Sequence, residues 1–346
     1  MIPYWLLFLY PALAQLAPLR LGARERLAAW WMFGLITVLA VGLRYQVGGD
    51  WDAYLDHLDA AAGKSLGEIL LESDPGYHIL NWIFSQTPFG IYGVNTVCGL
   101  IVTAGVLSFA GRQPLPWLVV VCAVPYLIVV VAMGYTRQSA ALGLELLALG
   151  VLAQGRVLRF VTLVILAATF HKSAVLLLPI AALAGSARRL WVLFWVFVVT
   201  ALSAQLLLIE ATEALWEQYV QAQMQSEGAP VRVAMNAVPA ALFLIFHRRL
   251  ALTAGEHRLW VWISLFALAC VPLVSLASTA VDRVALYLLP LQLYVFPRLV
   301  TLVRDRAIRS LFVIAIVGYY ALVLWVWLNY AVHAFAWVPY RFALWM

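Results

Sequence analysis

Apolar runs of about 14 to 21 residues recur along the whole chain, separated by short charged turns, which is the length a helix needs to cross a hydrocarbon layer. They fall at 3–19, 27–43, 90–110, 116–132, 136–154, 158–171, 173–186, 190–209, 232–247, 259–277, 284–299 and 310–332. The pattern predicts about twelve transmembrane helices, within a range of about 10–14. The stretch 158–186 reads either as two short helices or as one broken, re-entrant element. Two connections are long, 44–89 and 210–231. In the first, Trp51, Tyr54, Leu55, Leu58 and Ala62 recur at helical spacing while Asp50, Asp52, Asp56 and Asp59 take other faces. This predicts an amphipathic helix lying at the interface. Pro75-Gly76 then closes the loop before a second short apolar helix over 77–86. In the second loop, Leu215, Trp216, Tyr219 and Met224 face one way between Glu213, Glu217 and Glu227. The fold expected is all-α and polytopic, a single integral membrane domain over 1–346, with outward-facing amphipathic helices in two long outer loops. Loops of this length on a compact membrane protein are usually functional, so the expected working face is the one that carries them.

Composition sharpens the class. A hydrophobic fraction of 65% with only 11% charged residues excludes an ordinary soluble domain. The charges sort by side. One set of loops holds fifteen Lys/Arg against three acidic residues (Glu25, Glu256, Asp305), which marks it as cytoplasmic. The opposite loops hold seven basic residues against twelve acidic ones. The net charge of +6 therefore reports topology and not nucleic-acid binding. Both termini are expected outside. The first segment lacks a basic leader and is interrupted by Pro3 and Pro11, which reads as a signal anchor and not a cleaved signal. Cys98, Cys122 and Cys270 all lie inside apolar runs as small hydrophobes, without zinc-ligand spacing.

Six cations stand against the charge bias: Arg44, Arg137, Lys172, Arg232, Arg283 and Arg341 each fall at the outer end of an apolar segment. A cation there needs an anionic partner, and six converging from different helices suit a phosphate or pyrophosphate headgroup. Arg44 opens Arg-Tyr-Gln-Val-Gly48-Gly-Asp50, where the glycines permit a sharp turn or close approach and Asp50 can cap the next helix. Asp50 and Asp52 read equally as capping and solvated residues. Arg137-Gln138 opens the fifth segment, where a cation opposes the helix dipole and calls for an anion, either a ligand or a loop carboxylate such as Asp50 or Asp74. Glu145, further along that segment, is either a protonated packing residue or an Arg partner. His171-Lys172-Ser173 interrupts an apolar stretch, and His171 suits a general base or a sugar contact, against the alternative of a plain turn. Asp282-Arg283 precedes Tyr287 by one turn, placing Arg283 and Tyr287 on one helix face, with Asp282 available to neutralise Arg283. No phosphate loop, dinucleotide fingerprint, metal-ligand cluster or serine-hydrolase elbow is present, so neither cofactor nor metal is expected.

Taken in order, RYQVGGDWDAY, SDPGYHILN, MGYTRQSAA, TFHKSAV and DRVALY resemble the EpsG-like, Wzy-type bacterial polysaccharide polymerases, from about Leu43 to Tyr340. The family pattern falls on Arg44, Gly48, Asp50, Gly76, Tyr77, Arg137, Gln138, His171, Ser173, Arg283 and Tyr287. Asp74 stands where a glutamate is expected, and Trp51 where a tyrosine is common. The resemblance implies a multi-pass protein of the bacterial inner membrane, related to the membrane-embedded glycosyltransferase (GT-C-like) group, with its site on the outer side. It implies transfer of a glycan from polyprenyl pyrophosphate to a hydroxyl of the next lipid-linked repeat unit, with membrane lipid around it and no nucleic acid. Whether a chain-length regulator takes part is left open. The expected mechanism is metal-independent displacement with inversion. Arg137 and Arg283, with Arg44 or Lys172, take the pyrophosphate; Asp50 or His171 orients or deprotonates the acceptor, with Asp52 in reserve. Tyr77, Gln138, Ser173, Tyr287 and Arg341 complete the expected binding set. Rival expectations are an O-antigen-ligase-type or polyprenyl-phosphate-sugar-dependent glycosyltransferase, a membrane acyltransferase, and a lipid-linked glycan transporter.

Overall fold

A computed structural model of the chain describes residues 1–17, 22–180 and 228–345. The described residues are helical, with one isolated antiparallel bridge between Arg44 and Phe342. The helices are α1 (Ile2–Leu16), α2 (Ala23–Gly42), α3 (Trp51–Ala62), α4 (Leu66–Leu70), α5 (Pro75–Ser85), α6 (Gly90–Ala110), α7 (Pro116–Ala123), α8 (Thr136–Leu152), α9 (Val157–Phe170), α10 (Ala229–Phe246), α11 (Ala254–Leu273), α12 (Ser278–Leu286), α13 (Pro290–Leu302) and α14 (Arg306–Tyr330). Among the described residues, five helices are long and apolar enough to cross a membrane, and six if the bent pair α12/α13 is one span. Three further apolar helices are shorter: α1, the Pro116–Ala132 run and α9. Of the expected segments, 190–209 and the part of 173–186 beyond residue 180 lie outside the described residues, as does the loop 210–231 up to residue 227.

The chain divides into two compact units, Met1–Leu146 with Leu166–Lys172 and Val303–Met346, and Leu147–Ile165 with Ser173–Leu302. At the centre of the first unit is α7, which continues from Val124 to Ala132 as a π-helical stretch. Pro125 has no N–H to give the usual α-helical bond, and the wider turn absorbs that loss. Every residue from Leu118 to Ala132 is buried, as expected for a helix apolar on all sides. The π-helical stretch runs out at Met133-Gly134 and delivers Arg137 to the start of α8.

The expected interfacial helix is α3. Trp51, Tyr54 and Ala61 are buried while Asp52, Asp56 and Asp59 are exposed. The helix expected at 77–86 is α5, and α3 packs against it. The segment after α14, from which the sequence singled out only Arg341, closes the same end of the unit. After α14 the chain turns through Trp337 and runs antiparallel to residues 43–48, with Tyr45 N–H donating to Arg341 O (3.0 Å), Ala343 N–H to Leu43 O (2.8 Å) and Gly48 N–H to Ala336 O (2.9 Å). The Trp337 indole N–H donates to Val129 O (2.8 Å), and the Tyr4 hydroxyl donates to Trp337 O (2.5 Å). Gly48 has φ +106°, and a Cβ there meets Met133 O at 2.2 Å. Gly48→Ala therefore forces both a disfavoured backbone and a clash with backbone, and is expected to cost about 1–3 kcal/mol, read as a lower melting temperature in detergent.

In the second unit, α10 packs against α11, α12 and α13. The segment expected to run unbroken over 284–299 instead breaks between α12 and α13, with a 54° bend. Tyr287, Leu288 and Leu289 make tight bonds to residues three back, and Pro290 cannot continue the ladder.

Candidate functional site

One carboxylate gathers three of the sequence motifs in the first unit. Asp74 Oδ2 accepts from Arg137 Nη1 at 3.1 Å, and Oδ1 accepts from the Lys172 backbone N–H at 2.8 Å. Asp74 is buried, and its left-handed backbone (φ 58°, ψ 51°) turns the chain into α5. A non-glycine residue held there costs on the order of 1–3 kcal/mol unless its surroundings fix it, and aspartate is among the residues that tolerate it. Burial raises the Asp74 carboxyl pKa, and the Lys172 N–H and Arg137 pull it back down. Gly76 seats the first turn of α5 on the end of α9: a Cβ there comes within 2.4 Å of the Thr169 hydroxyl.

Tyr77, fully buried, is the hub of the groups around that carboxylate. The Arg137 guanidinium lies over its ring at 5.7 Å, and the rings of Tyr54, His78 and His57 stand 5.8, 6.0 and 6.2 Å away. Burial pushes the Tyr54 hydroxyl pKa up to about 12, so Tyr54 is neutral here. Arg137 keeps 30% of its side chain exposed. Its place in the first turn of α8 opposes the helix dipole, and Asp74 offsets that cost. The loop-carboxylate alternative for Arg137 is thus realised, with side-chain surface left over. The Gln138 amide nitrogen is buried without a hydrogen-bond partner among the described residues.

Arg44 faces the protein and not a cleft. It is 1% exposed: Nε donates to Val47 O (3.1 Å), Nη1 to Val41 O, and Nη2 to Asn95 Oδ1 (3.2 Å) and Thr136 Oγ1 (2.7 Å). The guanidinium fixes the Gly48-Gly49 loop instead of offering its donors to a phosphate. Arg341 is exposed and donates to Gln46 Oε1 at 2.6 Å. Asp50 occupies the N-cap position of α3 but its side chain does not bond the helix amides, and Asp52 is exposed on the first turn. His171 is half-buried and the Lys172 side chain exposed, directly after α9.

In the second unit, the Ser173 and Tyr287 hydroxyls are 3.0 Å apart. Asp282 grips Arg232 through both carboxylate oxygens, so the pair spaced along one helix in the sequence is replaced by a pair between α12 and α10. Arg283 is exposed on α12.

Three groups that sequence reasoning did not single out stand beside Tyr77. His78 Nδ1 lies 3.0 Å from Glu72 Oε2, and Glu72 is also bonded to Lys64. The His57 ring meets the His78 ring edge-on at 5.3 Å. The available signals were local: His78 follows the motif residue Tyr77, and His57 lies three after Tyr54 on the inward face of α3.

The motifs that meet at this end of the first unit are a family's motifs. The model of the EpsG family matches residues 27–342. The chain belongs to the EpsG family. Membership, with the long apolar helices, makes it a multi-pass membrane protein with a polysaccharide-polymerase-type role. Neither a curated protein nor a solved structure matches the chain.

Proposed function

We propose that this EpsG-family protein is a polysaccharide polymerase that moves a glycan from polyprenyl pyrophosphate to a hydroxyl of the next lipid-linked repeat unit, at the outer face of the bacterial inner membrane. The observation that carries the reading is Arg137: a cation at a helix start, steadied by Asp74, laid over Tyr77 and still 30% exposed. The bond from the anomeric carbon to pyrophosphate breaks with charge building on the leaving oxygen. A guanidinium already fixed by a carboxylate stabilises that charge with little reorganisation. The lipid donor enters from the membrane and needs no nucleotide. The reaction is direct displacement with inversion, with cationic side chains instead of a metal neutralising the leaving group. Outward termini and about twelve spans belong to this reading. Their support is the charge bias of the loops and the clasp that joins Tyr4 and residues 337–343 to the 43–48 loop at one end of the first unit.

The test is mass spectrometry of polyprenyl-linked glycans in cells lacking the protein. Complete single repeat units with no longer chains are expected. Truncated units identify a single-sugar transferase instead, and long unattached chains a ligase. An unchanged lipid-linked pool overturns glycan transfer altogether.

A further inference from the structure

Transfer to a hydroxyl needs a group that takes its proton, and the Asp74 carboxylate is already engaged by Arg137 and the Lys172 N–H. The structure supplies a basic group against the same Tyr77 ring. His57 is half-exposed on α3, and its ring has no hydrogen-bond partner among the described residues. His78, behind it on α5, is only 8% exposed in its side chain and held through Nδ1 by Glu72, which Lys64 holds in turn. A ring fixed by a carboxylate and packed edge-on against a second ring restricts where that second ring can sit. We propose that His57 is the proton acceptor for the acceptor sugar hydroxyl, with the His78–Glu72 pair as the positioning group beneath it. This rests on the polymerase reading and names the acceptor side of the same site.

The step balances. The acceptor oxygen bonds to the anomeric carbon as the bond from that carbon to the pyrophosphate oxygen breaks. The hydroxyl proton passes to a nitrogen of His57, and the electron pair leaves with polyprenyl pyrophosphate, beside Arg137. His57 and Arg137 both stand against the Tyr77 ring, at 6.2 and 5.7 Å from its centre, so the groups that serve acceptor and leaving group share one buried side chain. The imidazolium later returns its proton to water.

The surroundings keep His57 in the form a base requires. Burial lowers its pKa below the ordinary 6.5 and Arg137 lowers it further, while Glu72, Asp56 and Asp74 oppose them. His78, pushed down by burial, sits neutral beside it near neutral pH, and Tyr54 and Tyr77 add no charge. A lowered pKa means His57 is free to accept at neutral pH, and is lost as a base only when the pH falls below about 6.5 and through its folded value. A carboxylate such as Asp50 is ordinarily a weaker base by more than two pH units.

The experiment uses the full chain, purified in detergent, with polyprenyl-pyrophosphate-linked glycan extracted from cells that lack the protein. His57→Gln is expected to lower the transfer rate on the order of 10²-fold or more, with the melting temperature unchanged. Glu72→Gln removes a carboxylate that raises the His57 pKa, so the acid limb of its rate–pH profile is expected to move to lower pH. A packing role alone leaves that limb in place. If His57→Gln reacts at the wild-type rate, or if the limb stays put in Glu72→Gln, the proposal is overturned; loss of activity in His171→Gln alone assigns the base to His171. If the deletion cells hold no accumulated repeat unit, the polymerase reading fails and this proposal falls with it, a result distinct from normal polymer in His57→Gln cells.

Discussion

Arg137→Ala is expected to reduce glycan transfer on the order of 10²–10³-fold while the protein remains folded. The comparison that gives this its meaning is Asp74→Asn. Asparagine tolerates the left-handed backbone at position 74 and keeps an oxygen for the Lys172 N–H, so the turn into α5 survives and only the charge pairing with Arg137 is lost. A part-exposed ion pair contributes about 0–1 kcal/mol, which corresponds to less than about a tenfold effect. The two variants should therefore separate: a large loss of rate in Arg137→Ala, a small one in Asp74→Asn, and similar melting temperatures for both. If Arg137 is only the partner of Asp74, the two instead fall together in rate and in stability. Arg137→Lys gives a second check. An ammonium keeps the charge but not the planar fork, so partial activity is expected, between wild type and alanine. The rates are read with the extracted lipid-linked glycan and the melting temperatures in the same detergent.

How much of this was legible in the sequence depends on the range of the interaction. The helices α2, α6, α11 and α14 follow apolar runs, because burial in lipid is dictated residue by residue. The amphipathic helix α3 was legible from Trp51, Tyr54 and the aspartates between them, because a 3.6-residue period is a local signal. The break after Leu286 was missed although Pro290 was in view, since the apolar run continues across it and hydropathy carries no directional information. Contacts between distant segments were harder. Arg137 had two readable partners, a ligand or a loop carboxylate, and only the fold could choose Asp74, 63 residues away. Asp282 next to Arg283 looked like a pair, yet adjacent helical residues do not face each other, and Asp282 turned to Arg232 on another helix. The C-terminal clasp had no periodic signature at all, because its cohesion comes from backbone bonds to residues 43–48 and from Trp337 seated against Gly134.

Arg44 separates a framework cation from a ligand-binding one, and its removal is expected to have the largest effect on folding. Arg44→Met keeps the apolar stem but withdraws donors from Val41 O, Val47 O, Asn95 Oδ1 and the Thr136 hydroxyl, all inside the first unit. Leaving a buried acceptor unsatisfied costs about 1–3 kcal/mol, so the summed loss approaches the whole stability of an ordinary domain, about 5–15 kcal/mol. The expected result is little or no folded protein recovered in detergent, with the loop 43–50 open to protease in what remains. Arg44→Lys is not expected to rescue it. One ammonium cannot reach backbone carbonyls on one side and the Asn95 and Thr136 side chains on the other, as a planar fork does. The same cluster explains the position of the working residues: Thr136 precedes Arg137, so the bond from Arg44 anchors the start of α8 and with it the guanidinium that faces Asp74 and Tyr77. If Arg44→Met instead melts like the wild type and loses only transfer, Arg44 contacts the pyrophosphate directly and the framework role assigned to it is wrong.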